Sequence, residues 1–81
     1  MKQNLQQIIE RLKAMRHDRN SDTQIRNFDA FGVAVCTVTF NQLTNLFEVD
    51  ELFANRHFEF DNLDLAAIEV YDQLHDFQTI F

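Results

Sequence analysis

Eighty-one residues, 46% of them hydrophobic, with nine Phe, one Gly and no Pro, make one folded domain spanning 1–81 and exclude a disordered or low-complexity chain. A formal net charge of −6 argues against nucleic acid as a partner, because affinity for phosphate backbones comes from counterions displaced by a basic surface. Cys36 is the single cysteine, which excludes an internal disulfide framework and a multi-cysteine zinc site; with no apolar run long enough for a signal peptide or membrane span, it points to a cytoplasmic chain without a membrane partner.

In chain order, residues 3–17 are predicted as a helix, since Leu5, Ile8, Ile9, Leu12 and Met15 recur at three- and four-residue spacing and form one apolar stripe. The polar run HDRNSDTQ ends it. The period then falls to two: Ile25 to Ala30 reads as a strand, Phe31-Gly32 as a tight turn and Val33 to Phe40 as the central strand. After the turn NQLTN come a third strand, LFEVDEL, a short turn at Ala54-Asn55 and a fourth strand, RHFEF. A second helix follows, with Asp61 as its cap, accepting from the Asp64 N–H, and with Leu63, Ala67, Val70, Leu74 and Phe77 as its apolar stripe. Glu69, Asp72, Gln73 and Asp76 are expected to face water. The fold class is therefore α+β, a two-layer sandwich with an N-terminal helix, a three- to four-stranded antiparallel sheet and a C-terminal helix, both helices lying on one sheet face.

Alternate residues of a strand share a face. Phe28, Ala30, Phe47, Val49, Phe58 and Phe60 form an apolar side, and Asn27, Asp29, Glu48, Asp50, His57 and Glu59 a wet one. The same alternation puts Val33, Val35, Leu46 and Ile25 on the wet side. Val33, Val35, Leu46, His57 and Glu59 are the expected partner-contact patch.

Charge is divided along the chain. Residues 1–38 carry six Lys/Arg against four Asp/Glu (6 − 4 = +2), and residues 39–81 carry Arg56 against nine acids (1 − 9 = −8). Arg11, Lys13, Arg16, Arg19 and Arg26 do not line up as a stripe that could track a nucleic-acid backbone. The acids invite three readings as ligands. Asp61-Asn62-Leu63-Asp64 starts like a calcium loop, but Leu63 stands at a ligand position and no Gly follows. Asp72, His75 and Asp76 share a helical face at i, i+3 and i+4 and offer three ligands to a divalent metal, and His57 and Glu59 share the wet side of the fourth strand. A solvated charged face is the preferred explanation for each, so no metal, cofactor or catalytic residue is assigned. Cys36, flanked by apolar residues, is expected to be a buried small hydrophobe.

At GVAVCTVTF, LFEV and above all FEFDNLDLAAIEVYDQL, the chain resembles the YkuJ-like family of small uncharacterised proteins from Gram-positive bacteria, over nearly its whole length. The resemblance implies a compact cytoplasmic α+β domain with no assigned activity and no catalytic residues to carry over. The connection before the fourth strand, Ala54-Asn55, is shorter here than the family's Gly- and Pro-containing loop. The resulting expectation is a non-enzymatic protein-interaction or regulatory module that acts as a homodimer or with another protein partner; the alternative is a small-ligand or metal-binding domain using the acidic C-terminal region.

Overall fold

The computed structural model describes residues 4–18 and 20–80. Along the chain lie α1 (Leu5–His17), β1 (Thr23–Ala30), β2 (Val33–Asn41), β3 (Leu46–Glu51), β4 (Arg56–Phe60) and α2 (Leu63–Ile80). The strands form one open antiparallel sheet in the order β1-β2-β3-β4, so all four expected strands are present and the α+β reading holds. Gln3, which periodicity placed in the first helix, and Arg19 lie outside the described residues.

Local signals explain where the elements stop. Asn4 opens α1 with a reciprocal cap: its Oδ1 accepts from the Gln7 N–H at 2.8 Å, and its own N–H donates to Gln7 Oε1 at 3.1 Å. Phe31 and Gly32 form the β1–β2 turn with φ of 55° and 75°, the two positive angles that let a two-residue loop follow the sheet twist. The other two hairpins close on Asn45 and Asn55, at φ of 62° and 56°, where a short polar side chain tolerates the left-handed region. Gln42 Nε2 donates to the carbonyls of Arg16 and Asp18, fastening the end of α1 to the β2–β3 turn.

Both helices cover the same sheet face. Ile8, Leu12 and Met15 of α1 and Leu63, Ala66, Ala67, Val70, Leu74 and Phe77 of α2 join Phe28, Ala30, Cys36, Val38, Phe40, Phe47 and Val49 in one core, with Phe58 and Phe60 half-buried at its margin. The predicted inner residues Phe28, Ala30, Phe47, Val49, Phe58 and Phe60 thus all pack on the helix side. The opposite face has no layer over it among the described residues.

Three expectations need correction. Val35 was placed on the wet side, yet it is 2% exposed and belongs to the core. The β1–β2 register pairs Phe28 with Cys36 but Asp29 with Ala34, so Val35 is the extra residue of a β-bulge. That insertion breaks the alternation and turns Val35 and Cys36 inward together, while the Leu52 N–H satisfies the Val35 carbonyl at 3.1 Å. Gln73 was placed outward, yet it is 3% exposed, because that side of α2 lies against Val35 and the β3–β4 turn residues Phe53 and Ala54, which bury a wider arc than one stripe.

The third correction concerns the cap of α2, which is Asn62. Its Oδ1 accepts from the Leu65 N–H at 3.1 Å, and the helix starts one residue later than Asp61 would allow. Replacing Asn62 by Ala is expected to cost about 1 kcal/mol, or about 4–8 °C in melting temperature for a chain of this size, while Asp61→Ala costs less than half of that. Thermal unfolding of the two variants followed by circular dichroism distinguishes them.

Candidate functional site: an acidic patch on the open sheet face

The uncovered face is built by pairing. Glu48 of β3 stands opposite Glu59 of β4 and opposite Thr39 of β2, whose other neighbour is Ile25. In the next row Asp50 stands opposite His57 and Thr37, and Thr37 Oγ1 donates to Asn27 Oδ1 at 3.0 Å. Two like charges directly opposite each other across a ladder are unfavourable, so the Glu48–Glu59 pair is a cost to the fold. His57 offsets it from the diagonal.

The imidazole is held from both sides. Its Nδ1 lies 2.6 Å from Asp50 Oδ1, and its Nε2 lies 3.3 Å from Glu59 Oε2 and 3.7 Å from Glu48 Oε1. The hydrogen bond to Asp50, then the one to Glu59, raises the His57 pKa above its ordinary value of 6.5. With His57 protonated the four side chains carry −2, and with His57 neutral they carry −3. The ligand-type atoms of Glu48, His57 and Glu59 all lie within 4.8 Å of one another, close enough to share a divalent cation, with Asp50 as the carboxylate that orients the imidazole from behind.

Of the residues singled out from sequence, His57 and Glu59 meet, and they are joined by Glu48 and Asp50, which the earlier patch omitted. Val33 was also placed on the wet side, yet it stands opposite the core residue Ala30 and is 43% exposed only at the hairpin end, away from the acidic cluster; Leu46, half-buried, lies two residues from Glu48 on the same side of β3 and borders it. Val35 leaves the surface altogether. Asp72, His75 and Asp76 do not form a shared ligand set among the described residues; His75 stacks on Tyr71 at 6.2 Å. Cys36 is fully buried and its thiol is pushed up to about 12, first by burial and then by the charges of Glu51 and Glu69, so it packs as a small apolar group. On the basic side, Arg11 spans the helix–sheet junction, its guanidinium 4.1 Å from the centre of the Phe28 ring and its Nη2 donating to the Asn27 carbonyl at 3.1 Å.

No helix among the described residues is long and apolar enough to cross a membrane. A family described as "Protein of unknown function (DUF1797)" matches residues 8–74. Among solved structures, the X-ray structure of the YkuJ protein from Bacillus subtilis is similar at 25% identity and a TM-score of 0.82, over 88% of this chain and 96% of that one. No curated protein matches the chain.

Proposed function

The chain belongs to that family of unknown function, and from its geometry we propose a non-enzymatic interaction module that docks a positively charged protein surface on the open sheet face and works as a homo-oligomer. The observation that carries this reading is the Glu48–Glu59 pair. A fold gains nothing from two carboxylates placed opposite each other on a face that no layer covers, whereas a basic partner turns the arrangement into complementarity. Ile25, 57% exposed in the same row, adds apolar contact beside the charges. The homo-oligomer is supported by α2, whose outer side carries Leu65, Ile68 and Tyr71 at i, i+3 and i+6, all exposed. Such a stripe can meet its own copy across a two-fold axis.

Titration with octa-arginine, followed by NMR, tests the sheet face. Shifts should concentrate on β3 and β4, and Glu48→Gln/Glu59→Gln should weaken binding about tenfold. Asp64→Asn/Asp72→Asn, with the same net charge, should change it less than about twofold. Binding should tighten as the pH rises through the His57 pKa, because loss of the imidazolium takes the cluster from −2 to −3. Equal weakening in both double variants would reduce the effect to bulk charge and refute the site. A strict monomer in light scattering at high micromolar concentration would refute the oligomer.

A second reading is favoured by the convergence of Glu48, His57 and Glu59, which offers a divalent cation three ligands. A zinc-dependent rise in melting temperature that His57→Gln abolishes would select it over the basic surface. Zinc without effect on stability would retire it.

A further inference from the structure

The open sheet ends in two edge strands, β1 and β4, and their outward backbone groups are treated differently. On β1 the carbonyls of Thr23, Ile25 and Asn27 accept from Ser21 Oγ at 2.7 Å, Arg26 Nη1 at 2.8 Å and Arg11 Nη2 at 3.1 Å. Side chains thus close that edge to another strand's donors. On β4 the outward groups follow from the pairing. The Leu52 N–H donates to the Val35 carbonyl, so along β3 the backbone of Glu48 and Asp50 turns toward β2, and that of Phe47, Val49 and Glu51 toward β4. Their partners Phe60, Phe58 and Arg56 point back at β3, which directs the N–H and C=O of His57 and Glu59 away from the sheet. The side chains of these two residues bond on the open face, and among the described residues no side chain or loop caps their backbone.

We propose that β4 pairs antiparallel with β4 of a second copy, about a two-fold axis through Phe58, and joins the two sheets into one of eight strands. The sequence RHFEF is complementary to itself in that register. His57 stands opposite the second copy's Glu59, and the two residues exchange both backbone hydrogen bonds, so all four outward groups of each strand are used. Imidazole then faces carboxylate across the new ladder, twice. An axis one residue to either side would set His57 on His57 or Glu59 on Glu59.

The helix side of β4 fits the same partner. Phe58 and Phe60 are half-buried at the margin of the core, their rings 6.4 Å apart and stacked, and the Arg56 guanidinium lies 5.6 Å from the centre of the Phe58 ring. Pairing brings Phe58 against Phe58 of the second copy and Arg56 against its Phe60, which covers the exposed side of the rings with aromatic and cation–π contacts. On the open face, Glu59, set against Glu48 by its own chain, gains the second copy's imidazole. The acidic patches of the two copies become one continuous surface. The proposal rests on the homo-oligomer reading and adds to it an interface distinct from the outer side of α2. Five residues from each chain make a small interface, so dissociation in the micromolar range is expected.

Amide hydrogen exchange of the full chain, followed by NMR at high micromolar concentration and on dilution, tests the pairing alongside light scattering. The His57 and Glu59 amides should exchange at least about tenfold more slowly than the outward amides of Ile25 and Asn27, and lose that protection as the dimer dissociates. Glu59→Pro removes an outward N–H that the fold does not use and should abolish both protection and dimer, whereas Ile68→Glu on α2 should leave both in place. Oxidation should cross-link Phe58→Cys between copies and leave Phe60→Cys uncross-linked, since only position 58 meets itself. A dimer that Ile68→Glu dissociates while His57 and Glu59 exchange freely would overturn the β4 pairing and keep the oligomer. Cross-linking at position 60 in place of 58 would overturn the register. A strict monomer would refute the pairing and the oligomer together, leaving the edge to a foreign strand.

Discussion

Phe28→Ala is expected to remove about 3–5 kcal/mol of stability, the range for deleting a buried aromatic ring. Domains of this size hold roughly 0.05–0.15 kcal/mol per residue, so the loss takes a large part of the total and leaves a substantial unfolded population at 37 °C. The reason is position as much as volume. Phe28 is fully buried, it stands opposite Cys36 at the last regular pair before the bulge, and its ring carries the Arg11 guanidinium that spans α1 and β1. Truncation therefore opens a cavity and also removes the surface on which Arg11 rests. Phe31→Ala, three residues along, provides the contrast: that ring is 64% exposed at the hairpin tip, and its loss should cost less than about 1 kcal/mol. Urea unfolding of the two variants reads the difference directly, and equal losses would place the core elsewhere.

How much of this was legible in the sequence depended on whether the information was local. Strand faces were readable wherever polar and apolar residues alternate cleanly, as in LFEV and HFEF, and the buried Phe47 and Val49 beside half-buried Phe58 and Phe60 follow that pattern. VAVCTVTF is different, because both alternating sets there are apolar, so no local pattern marks where one residue has been inserted. The bulge exists only in relation to β1, through the jump from Phe28↔Cys36 to Asp29↔Ala34. Gln73 was misread for a related reason: polar chemistry suggests water, but whether the β2 bulge and the β3–β4 turn lie against α2 there is a tertiary fact. At the other helix end, Asp61 and Asn62 are adjacent residues of similar capping strength, and propensity cannot choose between them.

The candidate site divides the same way. His57 and Glu59 were visible as neighbours on one side of a strand, since i and i+2 point together. Glu48 and Asp50 joined them only through the β3–β4 register, which the turn Leu52–Asn55 sets by pairing Glu51 with Arg56. A shift of that register by one residue would turn β4 over and put His57 toward the helices. The Glu48–Glu59 opposition is thus a property of the hairpin, invisible to composition and to either strand alone.

Val35→Asp should be the most damaging single change in β2, with a loss above about 4 kcal/mol that leaves no cooperative unfolding transition, while Val33→Asp should stay within about 0.5 kcal/mol of the parent. Strict alternation puts both valines on the open face; the bulge turns both toward the helices, and they differ in depth because Val33 sits at the hairpin end opposite Ala30. Val35 is 2% exposed and lines a groove with Glu51, so a carboxylate there would be desolvated and set beside a like charge. Val33 is 43% exposed, opposite Ala30 at the hairpin end, where a carboxylate keeps its water. Should the aspartate variant of Val35 fail to fold, the threonine pair still decides the matter. Val35→Thr exchanges a methyl for a hydroxyl in a dry site and should cost about 1–3 kcal/mol, whereas Val33→Thr should cost almost nothing. Equally small effects at the two positions in chemical denaturation would mean that β2 runs without its extra residue, with both valines on the open face.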